Sequence, residues 1–318
     1  MNDTMVFLRP NDLSIIENSH EFILRKGFLH VNEIIIDKDE SSKKFVRVFQ
    51  QFEKDKKVSL SRDDDAYDDF LKLLKFGLLG IQCGNRFLVI TNQNYKKTIQ
   101  SQCPDSTAVF ALPEILSENE QKILREGKNA QAMEEIKENA KKQLEGYDHI
   151  YYMDDFCNIT GLRSVNRLLF SLDMDSTIGF IDNDNIYLTG IKPGYTGCYE
   201  CLEKHILSKF PGTMSDYESK YDSSLTSEAK GGNLLILLGM ILSDMTNIMK
   251  YGSSSLTGNV VQMYTPNFEY SYNVNFKNSG CPICSGINRV HFEEQNIRSV
   301  NILKEILKDD SDRKHQTV

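Results

Sequence analysis

Four cysteines stand in two pairs of equal spacing, Cys198/Cys201 within "PGYTGCYECL" and Cys281/Cys284 within "SGCPICSG". Thiolates in a Cys-x-x-Cys pair reach one cation from a single turn of chain, and two such pairs make a tetrahedral sulfur set. Gly194, Gly197, Gly280 and Gly286 supply the permissive backbone that such turns use. Four sulfurs close the coordination sphere, so the spacing predicts a structural zinc site, with no position left for substrate. The alternatives are two separate redox dithiols, or cysteines that are simply buried. The paired occurrence weighs against both. His205, four residues after Cys201, is the nearest competing ligand.

Other reactive groups give less. Cys83, Cys103 and Cys157 are isolated, and seven cysteines without a secretory context do not suggest a disulfide framework. Cys157 is expected as a small buried residue. None of the six histidines (His20, His30, His149, His205, His291, His315) adjoins a Ser or Cys in a recognised nucleophile signature.

The elements that must hold these residues follow from pattern. The chain has 318 residues, 40% hydrophobic and 26% charged, with net charge −8. That size suggests about two domains with substantial cores. The acidic balance disfavours nucleic acid and anionic membranes as general partners. No basic, then apolar, leader opens the sequence. The apolar run Leu234 to Leu242 is well short of the roughly 20 residues a membrane helix needs. A cytoplasmic protein is expected.

Residues 4–36 read as short strands: Val6–Leu8, Leu13–Ile16, Phe22–Leu24 and the run Phe28 to Ile36. Phe45, Val48, Phe49 and Phe52 then recur at helical spacing, and a second helix is expected over Ala66 to Phe76, closed by Gly77. This is the outline of a winged-helix-like α+β domain over residues 1–82. Its last helix begins with "DDDAYDD", which argues against a DNA groove. Beyond it, strands at 86–92, 149–153 and 177–181 alternate with helices, one running from a capping box at Ser117–Glu120 to Leu144 and one over Leu162 to Phe170. An α/β domain with parallel strands is expected over 83–318. Strands at 185–190 and 270–276 and a helix from Leu234 to Tyr251 complete it.

The segments "DHIYYMDD" (148–155), "LRSVNRLLF" (162–170), "GIKPGYTGCYECL" (190–202), "GMILSDMTNIMKYG" (239–252) and "CPICSG" (281–286) occur in that order. As a set over roughly 86–290, they resemble a degenerate ubiquitin-activating-type (ThiF/MoeB-like) adenylating domain of Rossmann type, in which a Pro-Gly-x-x-x-Cys-x-x-Cys turn and a later Cys-Pro-x-Cys hold structural zinc. Asp155 and Asn166 keep the residue types that family uses near its nucleotide. Active members bind ATP phosphates on a Gly-rich turn after the first strand, where backbone N–H groups converge. The matching stretch here, Arg86 to Gln100, has no glycine. ATP is therefore not expected as a cofactor.

A degenerate domain of this kind behind a winged-helix-like domain is similar to the scaffold proteins of azole-forming peptide synthetases, the microcin-synthetase zinc subunits among them. That resemblance implies a non-catalytic subunit. It would hold the leader of a ribosomal precursor peptide for a YcaO-type cyclodehydratase, with a flavin dehydrogenase as a further partner, and it would act as a homodimer. It implies thiazole or oxazole formation in bacteriocin or thiopeptide biosynthesis. Peptide binding by strand addition would use Leu29, Val31, Glu33 and Ile35 as the edge and Phe70, Leu71 and Leu74 as a groove wall, although helix residues of that kind are as often core. The alternatives are an ATP-dependent adenylating enzyme acting on a peptide, a zinc-containing regulator, and a zinc-stabilised interaction protein outside peptide maturation.

Overall fold

The computed structural model describes residues 4–27, 32–82, 84–209, 212, 217 and 231–285. The chain divides into two compact units, Met1–Phe87 with Leu238–Ser255, and Leu88–Leu237 with Leu256–Val318.

The first unit is α+β. Strand β1 (Thr4–Leu8) lies between β5 (Lys57–Ser61) and β6 (Gly80–Ile81), and β2 (Leu13–Glu17), β3 (Glu21–Lys26) and β4 (Asn32–Asp37) form an antiparallel sheet in that order. Helix α1 (Lys43–Asp55) starts where the Ser42 side chain accepts from the Phe45 N–H, and it buries Phe45, Phe49 and Phe52 on one face. Helix α2 (Tyr67–Lys75) ends on Gly77 at φ +74°. There Gly77 N–H bonds Leu74 C=O and Leu78 N–H bonds Leu73 C=O, a double closure that favours glycine.

Strand β5, which has no apolar run long enough to announce itself, was not expected. The return of residues 238–255 was not expected either. It packs Tyr251 onto this core, and Lys26 Nζ donates to the Tyr251 hydroxyl at 3.3 Å. A domain of residues 1–82 alone therefore lacks part of this compact unit.

The second unit is a mixed α/β layer structure. Its seven strands run β13–β12–β11–β10–β9–β7–β8 across the sheet. They are β7 (Phe87–Thr91), β8 (Thr107–Ala111), β9 (His149–Asp155), β10 (Ser176–Asp182), β11 (Asn185–Ile191), β12 (Asn259–Tyr264) and β13 (Glu269–Val274). β9 and β10 are parallel, whereas β10 to β13 form an antiparallel series. The helices are α3 (Lys96–Gln102), α4 (Leu112–Ile115), α5 (Glu118–Glu126), α6 (Ala130–Leu144), α7 (Ile159–Ser171), α8 (Tyr199–Leu207) and α9 (Gly231–Tyr251).

The single helix expected from Ser117 to Leu144 is two. The capping box forms, with Ser117 N–H bonded to Glu120 Oε2 at 2.8 Å, but Gly127 at φ +67° closes α5 and Asn129 caps α6. Helix α9 has 21 residues and is apolar enough by length and composition to cross a membrane. Its Leu234, Leu237, Leu238, Ile241, Met245 and Ile248 are instead buried as protein core.

Burial also predicts a pH effect. His149 is buried, and its Nε2 lies 2.8 Å from Thr177 Oγ1; desolvation lowers its pKa from 6.5 to about 4. The folded state holds the imidazole neutral, so this stability is complete above pH 6.5 and is lost as pH falls from 6.5 through 4. The loss amounts to about 3 kcal/mol at the acid end. In thermal melts across that window, His149→Gln is expected to flatten the dependence of Tm on pH; an unchanged slope would remove the assignment.

Candidate metal centre and polar cleft

Cys198 ends the turn after β11, and Cys201 sits in the first turn of α8, so the pair spans a helix start. Cys281 and Cys284 lie in the turn beyond β13. The four sulfurs lie within 4.8 Å of one another, with Cys198 Sγ to Cys281 Sγ 3.5 Å and Cys201 Sγ to Cys284 Sγ 3.2 Å. Four sulfurs at 2.3 Å from a tetrahedral centre would be about 3.8 Å apart, and a disulfide would need about 2.05 Å. The arrangement can hold a metal ion. Cys198, Cys201 and Cys281 are buried and Cys284 is half-buried. His205 is exposed and lies outside the cluster. The hydrogen bonds shared among the four thiols draw Cys201 and Cys281 below the ordinary thiol range and push Cys198 and Cys284 above it. Four thiolates this close repel one another, so full ionisation calls for a cation.

The surroundings fix the cluster. Asn278 N–H donates to Cys201 Sγ at 3.3 Å. The buried Asn275 amide donates to Gly197 C=O, Cys198 C=O and Thr189 Oγ1 at 3.2–3.3 Å. A Cβ at Gly197 would lie 2.6 Å from Asn275 O, so glycine alone lets the two turns close. Helix α8 is tied to α7 by two ion pairs, one buried and one partly buried. Arg163 Nε meets both Glu203 oxygens at 3.1 and 2.9 Å, and Arg167 meets Glu200 at 2.7 and 3.2 Å. Asn166 Oδ1 accepts from Tyr199 N–H at 3.0 Å. Its place is therefore the start of the cysteine-bearing helix.

A polar cleft of about 960 Å³ opens beside β7 and β9. From β7 the chain moves to β8 on one side and then to β9 on the other. The cleft thus sits at the point where strand order reverses, the place where open α/β sheets accept ligands. Asn92, Gln93 and Asn94 line it after β7, Asp154 and Asp155 at the end of β9, and Lys122, Arg125 and Lys128 from α5 and beyond.

The carboxylates are already engaged. Asn92 Nδ2 donates to Asp154 Oδ1 at 3.0 Å, and Asn158 Nδ2 to Asp154 Oδ2 at 2.8 Å; the Tyr152 hydroxyl also reaches Asp154. Tyr95, within the glycine-free stretch, sets its hydroxyl 2.8 Å from both oxygens of Asp155. Burial raises the Asp154 pKa, while burial and the Asp155 contact push the Tyr95 phenol up. Cys157 is half-buried at the cleft wall.

No family model matches the chain, and no curated protein matches it. Solved structures do align with it. A heterocyclase, TruD, covers 88% of the chain at 10% identity with a TM-score of 0.48. MccB of E. coli covers 89% at 12% identity with a TM-score of 0.45, and the E. coli microcin synthetase McbBCD complex covers 87% at 10% identity with a TM-score of 0.39. The alignment takes in 97% of the MccB chain and 99% of the McbBCD chain, but only 43% of TruD and 39% of a second heterocyclase, solved with substrate and cofactor. The chain thus spans about two fifths of those two heterocyclases.

Of the expected peptide-binding residues, Leu29 and Val31 lie outside the described residues. Glu33 and Ile35 are on β4, the outer strand of its sheet, and Ile35 is 57% exposed. Phe70 and Leu74 do not face a groove. The Phe70 ring sits 5.3–5.8 Å from those of Phe7, Phe45, Phe49 and Phe52, and Leu74 is buried in the same cluster. Four phenylalanines converge there because α1 and β1 both turn their apolar faces to α2. Leu71 is half-buried against that core. Sequence reasoning missed the apolar row that β-register creates, in which half-buried Ile23 lies between exposed Ile16 and Ile35. Alternation within each strand carried that signal.

Proposed function

We propose that this chain is a non-catalytic scaffold subunit that binds the leader of a ribosomal precursor peptide and presents it to a YcaO-type cyclodehydratase for thiazole or oxazole formation. In this reading, residues 1–82 are the core of a winged-helix-like leader-recognition domain, and 83–318 form a degenerate ThiF-like domain. Cys198, Cys201, Cys281 and Cys284 hold one structural Zn2+, which orders the α8 start and the turn after β13. The protein works in the cytoplasm as a homodimer, with a flavin dehydrogenase as a downstream partner.

The observation that carries this reading is the edge of β4. Lys38 N–H bonds His20 C=O, which makes the even residues of β4 the ones that bond β3. Glu33 and Ile35 therefore turn their N–H and C=O groups outward. An extended peptide could add there, with the Ile16–Ile23–Ile35 row as an apolar floor on the same sheet face. Reconstitution tests the role: leaving this protein out should abolish heterocycle formation on full-length precursor, and full-rate processing without it would refute the proposal.

A second reading, an adenylating enzyme acting on a peptide, draws on the cleft at the strand switch and its lysines and Arg125. The engaged carboxylates and the glycine-free turn weigh against it, because Asn92 and Tyr95 occupy groups that a nucleotide and its metal would need. No ATP–pyrophosphate exchange above background is expected from the purified chain. Exchange that is abolished by Asp155→Ala would favour the second reading.

A further inference from the structure

A cavity of about 580 Å³ lies in the second unit, between the sheet and the end of α8. The sheet supplies Asp182, Tyr187, Gln262 and Asn273 to it, and α8 supplies Ile206. Its size suits one side chain or a small molecule. Neither the four cysteines nor the lining residues of the polar cleft take part in it.

Strand register sets the chemistry of the sheet wall. Phe180 on β10 pairs with Tyr187 on β11, and Asp182 lies two residues past Phe180, on the same sheet face. The rings of Phe156, Phe180 and Tyr187 stack in a row, with centroids 5.0 Å apart at each step and planes inclined by 23° and 17°. Phe156 and Phe180 are buried, whereas Tyr187 ends the row half-buried. Phe180 covers one face of the Tyr187 ring, and the rest of the ring borders the cavity.

Two polar groups of this wall are unengaged. Among the described residues, neither the Asp182 carboxylate nor the Tyr187 hydroxyl takes part in a hydrogen bond or ion pair. Solvent reaches Asp182, yet the protein around it raises its pKa. Burial and the Asp182 charge together raise that of Tyr187, so the two groups lie within electrostatic reach of each other. An anion beside an aromatic face is an arrangement that receives an organic cation.

We infer that this cavity is a receptor for a guanidinium group, stacked on Tyr187 and paired with Asp182. A guanidinium is planar, so it can lie on a ring face while its edge donates to both carboxylate oxygens. An ammonium is a compact, strongly hydrated point charge and gains less from the stack. Gln262 and Asn273, on β12 and β13, extend the wall with side-chain amides. Amides there suit the main chain of a peptide that carries arginine, or the α-groups of the free amino acid. The site uses other residues than β4 and stands whether or not a leader binds there.

The test uses the full chain, titrated with N-acetyl-Gly-Arg-Gly-amide. The methyl resonances of Ile206 and Val260, which line the cavity, report binding at this place. A Kd of about 1 mM or tighter is expected, the scale of one partly solvated ion pair joined to a cation–π contact. The citrulline peptide, which keeps the shape and lacks the charge, should bind about tenfold or more weaker, and so should the arginine peptide to Asp182→Asn. Asp182 has no partner to lose, so the variant should keep its melting temperature and metal content.

Free L-arginine, titrated in parallel, identifies the source. Tighter binding of the peptide assigns the cavity to a polypeptide, tighter binding of the amino acid assigns it to a metabolite, and both support the guanidinium receptor. Wild-type protein that binds neither by about 10 mM overturns it. A lysine peptide that binds as tightly as the arginine peptide overturns it too, as does a folded Asp182→Asn that binds as well as wild type.

Discussion

Cys281→Ser is expected to empty the metal centre, taking the protein from one zinc per chain to none and lowering Tm by about 10 °C or more. Three thiols cannot complete a closed tetrahedral site, and a buried hydroxyl is a poor replacement for a thiolate. A metal on these four sulfurs would join the start of α8 to the turn after β13, two points separated by 79 residues, so its loss would free a long loop as well as a local turn. Structural zinc sites in small domains carry about 10–16 kcal/mol of apparent binding free energy; only part would be lost here, since the Asn275 and Arg–Glu contacts remain. Metal analysis beside a thermal melt reads both effects. Cys103→Ser, a half-buried thiol away from the cluster, is the control and should change neither. Wild-type protein prepared without chelator and found metal-free would remove the zinc assignment.

Ile35→Pro should weaken leader binding about tenfold or more while leaving the fold intact. The Ile35 N–H turns away from β3, so proline costs no bond of the β3–β4 ladder, and it removes one donor from the edge where the peptide would add. Ile35→Asp tests the other half of the interaction by placing a charge on the apolar row it shares with Ile23 and Ile16. These are cleaner tests than changes at Phe70 or Leu74, where a charge would disrupt the aromatic core and abolish binding by unfolding. Fluorescence anisotropy of a labelled leader, with circular dichroism as the folding check, gives the result. Folded variants that bind as well as wild type would move the peptide site off β4.

The cysteine cluster was legible because metal ligation imposes a spacing that survives in sequence. The α1 seam of Phe45, Phe49 and Phe52, the closure at Gly77 and the Ser117 capping box were legible for the same kind of reason: each is a local rule acting over three or four residues. What escaped was non-local. Strands β5, β8 and β12 are five or six residues long, and partners far along the chain set their pairing. The break at Gly127 escaped because a glycine inside a helical pattern does not by itself mark a helix end. Phe70 and Leu74 have the right types for a groove, but only the convergence of Phe7, Phe45, Phe49 and Phe52 upon them decides that they are interior. The engagement of Asp155 by Tyr95 joins residues 60 positions apart, and neither announces the other.

The order in which the chain is made gives the cysteine centre a timing. Cys198 and Cys201 leave the ribosome first, and Cys281 and Cys284 follow only after the intervening 79 residues. At about 5–20 residues per second, the first pair waits about 4–16 s as a bare dithiol. Gly197 cannot seat against Asn275 until β13 has returned, so the first turn has no shelter in that interval. A nascent chain halted before Cys281 would carry two reactive thiols and an unlatched sheet edge. Yield in a producing cell would then follow zinc supply and thiol-reducing capacity during translation, and late addition of metal to oxidised chains would not recover it.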